Sequence, residues 1–276
     1  MKDLFFLERD MAPYFDGLYE GDLASVLHDD SIALGYVEEG RAAGLLVASG
    51  LSHADTHWLD WLYVLPQYRN RGIGGRILDF FLQKCKEAWP EGEIRAVVHG
   101  NEDVLFFQNM GFILYPEGST YRTTLKALNM PHAMQEDETI RFLGELASVE
   151  LKKADAALAD ADVDVMAAEI PLVPGDYLAE SVISLEDDEL QGLLLLSEQN
   201  GICNVDYVYT EQGSSVLLGK MLNKAATALL KREQEITGLT MTAMDEKVEK
   251  IIEKSFDDYQ KTRIWSGVAD LMLLHE

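Results

Sequence analysis

The chain has 276 residues, of which 47% are apolar and 26% are charged, and its formal net charge is −25. This length and balance predict a soluble globular protein with one large domain or two of ordinary size. The negative charge argues against nucleic acid and anionic membrane surfaces as partners, and no apolar run is long enough to cross a membrane.

The first part of the chain predicts strands and helices in mixed order. Apolar spacing and turn residues indicate, in chain order, a helix (11–27), three strands (32–37, 42–48 and 58–65), a helix (73–89), a strand (94–99), a short helix (101–110) and two strands (112–115 and 120–125). Asn101 is a suitable cap for the short helix, and Gly111 is a suitable end for it.

The second part repeats this pattern after a polar, alanine-rich stretch. It predicts a hairpin (177–185 and 190–196), a strand (202–209) and a long helix (216–231). An ungapped match sets Val64 on Val208, an offset of 208 − 64 = 144, and at the same offset Phe112 meets Phe256. We interpret this as an internal duplication. It predicts three parts, namely a first domain (1–128), a linker and helix (129–160) and a second domain (161–276).

The two copies differ in the loop before the long helix. At the offset of 144, Arg69, Arg71, Gly72 and Gly74 correspond to Gly213, Ser215, Val216 and Leu218. The second loop therefore has neither the cationic side chains nor the glycines of the first. We expect Val216 and Leu218 to pack against a neighbouring surface.

The loop of the first copy has the features of an anion site. It reads Val64-Leu-Pro-Gln-Tyr-Arg-Asn-Arg-Gly-Ile-Gly-Gly75 and leads from a strand into a helix. The first backbone N–H groups of a helix have no partner within it and carry partial positive charge. Glycines allow a phosphate to approach these groups, and arginines add forked donors. The spacing is neither that of a Walker loop nor that of a dinucleotide fold.

This loop resembles motif A of the Gcn5-related N-acetyltransferases, the GNAT family. Residues 100–112, Gly-Asn-Glu-Asp-Val-Leu-Phe-Phe-Gln-Asn-Met-Gly-Phe, resemble motif B of the same family. The resemblance implies an α+β fold, with a central mixed, mostly antiparallel sheet flanked by helices, here duplicated with a degenerate second copy. It also implies acetyl-CoA as co-substrate. The residues implied to bind it are Tyr63, Val64, Arg69, Asn70, Arg71, Gly72, Ile73, Gly74, Gly75, Arg76, Asn101 and Phe107.

Asp60, His99 and Tyr115 are the candidates for catalysis, the first two as a base and the third as an acid. Asp60 lies on the strand before motif A, where a carboxylate can act as general base, and strand alternation would put it on one face with Leu62 and Val64. Its counterpart at the offset of 144 is Asn204, which cannot be a base. His99 ends a strand and is a second candidate base or a structural histidine. The resemblance implies that the backbone N–H groups near Tyr63 and Val64 hold the thioester oxygen.

The general acid is less clearly indicated, because Phe107 stands where the family has a tyrosine. Tyr115, Tyr121 or water could protonate the thiolate, or the thiolate could leave unaided. Tyr14, Phe15 and Tyr19 on the first predicted helix could line the acceptor pocket or belong to the core.

We therefore predict a cytoplasmic N-acetyltransferase that acetylates an amine, with a cationic small molecule or a peptide as acceptor. A non-catalytic acyl-CoA-binding regulatory protein is the alternative. We expect a monomer or weak dimer without a metal, and we assign His53 and His57 to a polar loop. Cys85 and Cys203 are too far apart for a zinc motif, and both thiols are expected to be buried in a reducing compartment.

Overall fold

The computed structural model describes residues 2–28, 30–51, 55–127, 137–160, 177–187, 189–232 and 234–274. The chain divides into two compact units. Unit 1 consists of Met1–Glu117 and Arg263–Glu276, and unit 2 consists of Gly118–Thr262. Within the described part of the chain, no helix is long and apolar enough to span a membrane.

Unit 1 is built on one sheet with helices on both faces. Its elements are β1 (Lys2–Phe6), α1 (Ala12–Phe15), α2 (Leu23–Val26), β2 (Ser31–Glu38), β3 (Arg41–Ser49), β4 (Thr56–Val64), α3 (Ile73–Ala88), β5 (Glu93–His99), α4 (Val104–Asn109), the first half of β6 (Ile113–Thr123) and most of β12 (Gln260–Asp270). The strand order is β1-β2-β3-β4-β5-β12-β6. β4 and β5 pair in parallel, whereas the pairs β1–β2, β2–β3, β3–β4 and β5–β12 are antiparallel.

The two faces of this sheet carry separate apolar clusters. Ile73, Ile77 and Phe81 of α3 are buried on one face, and they are spaced by four residues, as one stripe of a helix requires. On the other face, Phe15 and Leu23 from α1 and α2 are buried. The sheet therefore forms the middle layer of unit 1, and α3 begins where β4 ends.

Unit 2 has the same plan. Its elements are the second half of β6, β7 (Ile140–Phe142), α5 (Ser148–Asp160), β8 (Val182–Glu186), β9 (Glu189–Gln199), β10 (Ile202–Thr210), α6 (Ser215–Leu229), β11 (Gly238–Ala243) and α7 (Glu246–Ser255). The strand order is β6-β11-β10-β9-β8-β7, and β10 and β11 are the parallel pair. The second sheet thus repeats the arrangement of the first.

Each unit takes one strand from the far part of the chain. In unit 1, Ile264–Asp270 of β12 pair with His99–Glu93 of β5. In unit 2, Ser119–Thr123 of β6 pair with Ala243–Leu239 of β11. Both borrowed strands are antiparallel to the second strand of the parallel pair. Neither unit is complete without residues from the other half of the sequence.

The predicted fold class is confirmed, and several predicted elements fit closely. The predicted helix 73–89 is α3, and the predicted hairpin in the second copy is β8 and β9. Cys85 and Cys203 are buried as expected, and burial raises the pKa of both thiols to about 12. The predicted division into a first domain (1–128), a linker and helix (129–160) and a second domain (161–276) stays a prediction.

Other predicted elements were wrong. The helix expected over 11–27 is broken into α1 and α2, joined by the 3-10 turn Asp16–Leu18 and a bend that includes Gly21. The two strands expected at 112–115 and 120–125 are one continuous strand, β6. Asn101 does not cap α4, whose first helical residue is Val104 and whose N-cap is Asp103.

Candidate functional site

The loop between β4 and α3 presents free backbone donors and cationic side chains. Gly72 precedes the first helical residue with φ 75°, a conformation that glycine adopts without strain. The first helical hydrogen bond runs from the Arg76 N–H to the Gly72 carbonyl. The N–H groups of Ile73, Gly74 and Gly75 therefore have no acceptor within the helix. They form a donor set at the positive end of the α3 dipole.

The arginines of this loop have contacts that hold them near the strand end. Arg69 donates from Nε to the Val64 carbonyl at 2.9 Å, and its guanidinium lies 5.4 Å from the Tyr63 ring centroid. Arg71 lies 5.4 Å from the Tyr68 ring centroid, and Arg76 donates to the Tyr36 hydroxyl at 3.1 Å. Among the described residues, none of the three arginines forms an ion pair with a carboxylate. Their charge is therefore available to an anion at the start of α3.

Gly74 lies where α3 approaches β4 and α4 closely. A Cβ at Gly74 would be in ordinary van der Waals contact with Val64 Cγ2, at 3.6 Å, and with Phe106 Cζ, at 3.7 Å. The aromatic ring beside Gly74 is thus Phe106. Phe107 instead is buried in the core, 5.3 Å from the Phe112 ring centroid.

The parallel strands β4 and β5 separate at Asp60. Their pairing runs from Thr56 with Glu93 to Leu59 with Ala96 and then stops, although both strands continue. On the other side of β4, Trp61 pairs with Val47 and Leu59 pairs with Ala48, so Asp60 is the extra residue of a β-bulge. An open wedge between two strands therefore begins at this carboxylate.

The bulge changes the face that the Asp60 side chain occupies. Leu62 and Val64 pack with the α3 cluster. Asp60 instead hydrogen-bonds Ser49. Ser49 alternates along β3 with Val47 and Leu45, which belong to the cluster on the opposite face, so Asp60 also lies on that face. The expectation that Asp60 shares a face with Leu62 and Val64 was wrong, because a bulge interrupts strict alternation.

The pKa of Asp60 is raised above its ordinary value. Desolvation by the neighbouring protein raises it, and the hydrogen bond with Ser49 opposes the shift. The side chain nevertheless remains exposed to solvent. A carboxylate that is partly desolvated yet accessible can accept a proton from a bound molecule.

The other predicted site residues lie at different positions around this wedge. His99 is the exposed last residue of β5, on the strand that diverges from β4. Asn101 accepts a hydrogen bond from Trp265 Nε1 at 3.2 Å, and its role towards a cofactor stays a prediction. Tyr115 is exposed on β6. Tyr121 lies in unit 2 and is fully buried, which removes it as a candidate acid for the unit 1 site.

The first helical segment contributes one aromatic residue beside β4. Phe15 is buried in the core, and Tyr14 is exposed and donates its hydroxyl to the Gly40 carbonyl. Tyr19 stacks edge-on against Trp61, with ring centroids 5.4 Å apart, and Trp61 Nε1 donates to the Leu18 carbonyl at 2.8 Å.

Sequence reasoning missed three residues that contact this site. Ser49 hydrogen-bonds Asp60. Phe106 lies beside Gly74, and Trp265 donates a hydrogen bond to Asn101. A shift of one position in motif B could have indicated Phe106. No local signal indicates Trp265, since it is 164 residues away from Asn101.

Unit 2 has the same bulge and wedge. On β10, Tyr207 pairs with Leu195 and Val205 pairs with Leu196, so Asp206 is the extra residue. The parallel pairing of β10 with β11 also stops just before it, at Val205 with Met241. Asp206 is therefore the structural counterpart of Asp60, and the strand offset is 206 − 60 = 146. The prediction that Asn204 corresponds to Asp60 was wrong, and the true counterpart lies two residues later.

The helix keeps the offset of 144. A Cβ at Gly44 would meet Ile73 and Ile77, and a Cβ at Gly192, the matching residue of β9, would meet Leu217 and Met221. Since the strands are related by an offset of 146 and the helices by 144, the loop between them is two residues shorter in unit 2 than in unit 1.

The second loop leaves little room for an anion. Its helix α6 begins at Ser215, two residues before the counterpart of Ile73, and the Ser214 side chain accepts a hydrogen bond from the Leu217 N–H. Lys220, the counterpart of Arg76, forms an ion pair with Asp137 at 2.7 Å, which lowers the pKa of that carboxyl to about 2. Leu218 is buried, as expected, but Val216 is 66% exposed, so its predicted packing was wrong.

Residues 29–114 match the family model described as an acetyltransferase (GNAT) domain. This part of the chain is a GNAT domain. The match includes β4, the Arg69–Arg76 loop, α3 and α4. No curated protein matches the sequence significantly.

Solved structures similar to this chain include a tandem GNAT protein and other GNAT-family proteins, which match over nearly their whole length. A tandem GNAT protein from the clavulanic acid biosynthesis pathway has 12% identity and a TM-score of 0.67, covering 98% of this chain and 99% of that one. A GCN5-related N-acetyltransferase from Sphaerobacter thermophilus has 13% identity and a TM-score of 0.63, covering 98% and 96%. A GNAT-family acetyltransferase from Colwellia psychrerythraea has 12% identity and a TM-score of 0.61, covering 97% and 99%. At these identities the likeness shows the fold, and the chain has a tandem GNAT fold.

Proposed function

We propose that this GNAT protein is an N-acetyltransferase that uses acetyl-CoA bound by unit 1. The observation that carries the proposal is the wedge between β4 and β5. It begins at Asp60, and β4 ends at a loop that combines free N–H groups with unpaired arginines. One strand thus links an accessible carboxylate to a site suited to a diphosphate.

Acetyl-CoA is the co-substrate that the residues of unit 1 fit. The diphosphate would receive hydrogen bonds from the first N–H groups of α3 and from Arg69, Arg71 and Arg76. Gly74 carries no side chain that would shield the first N–H groups of α3 from the diphosphate. The backbone of β4 around Tyr63 and Val64 pairs with β3 but not with β5, and this free edge would orient the pantetheine arm and the thioester.

The reaction forms one carbon–nitrogen bond and breaks one carbon–sulfur bond. An acceptor ammonium first gives a proton to Asp60, directly or through water, and Asp60 passes it to solvent. The neutral nitrogen attacks the thioester carbon, and the collapse of the tetrahedral adduct expels the CoA thiolate. The second nitrogen proton and the thiolate charge end as free CoA thiol. The raised pKa makes the Asp60 carboxylate a stronger base than an ordinary aspartate.

The protonation of the thiolate does not depend on motif B. Phe106 and Phe107 occupy that segment, and neither ring can donate a proton. The exposed Tyr115 or solvent entering the wedge would supply it. We therefore expect slower turnover than a dedicated acid would allow.

A thiol-release assay on the full chain tests the proposal. Free CoA should appear with acetyl-CoA and at least one amine of a panel, beyond the hydrolysis seen without amine. Arg71→Glu should weaken acetyl-CoA binding by roughly 2–3 kcal/mol, the scale of a lost charge-assisted contact, which is about 30- to 150-fold in Kd. Arg41→Glu, which changes an exposed arginine at the start of β3, is the matched control.

The outcomes separate the candidate functions. Acetyl-CoA binding without thiol release for any amine would identify a non-catalytic acyl-CoA-binding protein. Wild-type acetyl-CoA affinity in Arg71→Glu would exclude the loop as the diphosphate site.

A further inference from the structure

Four large apolar side chains lie exposed on one face of the unit 1 sheet. We call this the Trp58 face and define it by Trp58, Val97, Ile113 and Tyr115. They are 41%, 53%, 55% and 53% exposed, respectively. Exposed apolar side chains on a soluble protein are unremarkable when they are scattered, but a contiguous group indicates a binding surface.

The strand registers establish that these side chains share one face. Trp58 pairs with Ser49 on β3 and with Arg95 on β5, and directly paired residues point to the same side of a sheet. Val97 follows Arg95 by two residues and therefore has the same orientation. Its neighbours Ala96 and Val98 are buried in the α3 cluster on the opposite side.

The face continues across β12 to β6. A Cβ at Gly267, which pairs with Ala96, would meet Leu114 and Phe112 on the buried side. Ile113 lies between those two residues and points the other way, and Tyr115 follows it by alternation. The apolar surface therefore extends over the strands on the β5 side of the wedge.

Asp60 lies on this same face. Asp60 hydrogen-bonds the side chain of Ser49, and Ser49 is paired with Trp58, so all three side chains lie on the same face of the sheet. Trp58 precedes the bulge on the same face as the carboxylate, whereas Trp61 after it packs into the α1–α2 cluster. Val97 lies on the strand across the wedge, one residue beyond the last paired residue of β5. The carboxylate therefore shares its face of the sheet with Trp58 and Val97.

The positive charge nearest to this surface is neutralised. Arg95 lies 5.8 Å from the Trp58 ring centroid, but its Nε is 2.6 Å from Glu93 Oε1. A cation can therefore pair with Asp60 while the charge of Arg95 is balanced by Glu93. Because the Glu93 carboxylate is already paired with Arg95, a second cationic group further along the Trp58 face would meet its apolar side chains.

We propose that the acceptor is a primary amine with an apolar or aromatic group close to the amino carbon, and that Trp58 and Val97 determine this specificity. The inference rests on the proposed acetyl transfer and names its substrate class. The amino group would lie at Asp60 and the apolar group along the Trp58 face. A polyamine or an aminoglycoside, whose further cations need carboxylates, fits this surface poorly.

Matched amines and matched variants test this inference on the full chain. Cyclohexylmethylamine and ethylamine have similar basicity and differ mainly in apolar surface, so the ratio of their kcat/KM values with saturating acetyl-CoA isolates the apolar contact. We expect a ratio of about 10 to 100, the range of discrimination by apolar pockets. Trp58→Ala and Val97→Ser should each reduce that ratio several-fold. Phe6→Ala, which removes an exposed aromatic side chain from β1, should leave it unchanged.

Three results would overturn the inference. Equal kcat/KM values for the two amines, or a ratio that Trp58→Ala and Val97→Ser leave intact, would refute the specificity while acetyl transfer stands. A higher kcat/KM for spermidine than for cyclohexylmethylamine would indicate a polycationic acceptor. Acetyl-CoA binding without turnover of any amine would refute the proposed function, and this inference with it. Calorimetric acetyl-CoA affinity, measured for each variant, separates loss of specificity from loss of the fold.

Discussion

The C-terminal residues should control the stability of the unit that contains the candidate acetyl-CoA site. Leu271 is fully buried in the α3 cluster of unit 1, and its N–H donates to the Gly92 carbonyl at 3.0 Å. Leu273, two residues later, is 68% exposed. The pair offers the same substitution in the same tail with opposite burial.

The expected cost of Leu271→Ala follows from this burial. Removing a buried leucine side chain costs about 2–5 kcal/mol, because the transfer energy is lost and a cavity remains. An exposed leucine away from special features changes stability by less than about 0.5 kcal/mol, so Leu273→Ala is the control. A chain ending at Thr262 would also lose the buried Ile264 and all seven residues paired with β5. That loss is comparable to the whole stability of a domain, about 5–15 kcal/mol.

Hydrogen exchange measures the effect locally. Leu271→Ala should speed the exchange of the β5 amides, which pair with β12, and should leave the β9 amides of unit 2 nearly unchanged. Equal exchange in Leu271→Ala and Leu273→Ala would refute the assignment of the tail to the unit 1 core. For the same reason, residues 1–128 expressed alone should be poorly soluble or self-associate, because β5 would be left as an open edge. A monomeric, fully active fragment would contradict this.

Four further predictions concern the site and unit 2. Calorimetry or native mass spectrometry should find one CoA per chain, and a stoichiometry of two would refute the closed second loop. Asp60→Asn should lower turnover about 10²-fold, the usual contribution of a general base, and should remove an acid limb of the pH–rate profile that lies above the ordinary aspartate pKa. Because the raised pKa of Asp60 disfavours the carboxylate in the fold, Asp60→Asn should not lower the melting temperature at pH 7. Gly74→Ala should fold, since its Cβ meets only ordinary contacts, yet should weaken acetyl-CoA binding. Lys261→Met should destabilise unit 2 in thermal unfolding near neutral pH, because Lys261 pairs with Glu249 and Glu253 and lowers the pKa of Glu253. That contribution should fade as the solution is acidified through the lowered pKa.

The elements that sequence predicted well are those specified by neighbouring residues. The apolar run of β4, the proline after it and the four-residue stripe of α3 are local signals, and they located the loop and its arginines. The offset of 144 also aligned Val216 and Leu218 correctly with Gly72 and Gly74, because 144 is the offset that relates the helices α3 and α6. Applied to the strand 94–99, the same offset gives 238–243, which is β11, so a strand left unassigned was within reach of the sequence.

What the sequence did not reveal depends on pairing between distant segments. The bulge at Asp60 exists in the register of β3 against β4, and no pattern within β4 alone distinguishes it from regular alternation. The pairing of β12 with β5 likewise joins residues that are far apart in the chain, from 264 − 99 = 165 to 270 − 93 = 177 positions, and local periodicity carries no information on such pairs. The position of Trp265 beside Asn101 follows from this pairing, and the sequence could not predict it.

The two units differ in a way that separates the two functions of a GNAT site. Both keep the bulge, the carboxylate in it and the parting of the parallel strands, at Asp60 and at Asp206. Among the described residues, only unit 1 has the long loop, a glycine instead of a capping serine at the N-cap of the helix, and arginines without a carboxylate partner. The bulge is part of the sheet, so losing it would shift the register of buried strands and cost stability in either unit. The loop lies outside the sheet and adds only Leu65 and Tyr68 to the margins of the apolar clusters, so shortening it costs the sheet little. The retained Asp206 is therefore explained by the fold alone, whereas the retained loop of unit 1, with arginines that no carboxylate among the described residues neutralises, fits the proposed acetyl-CoA site.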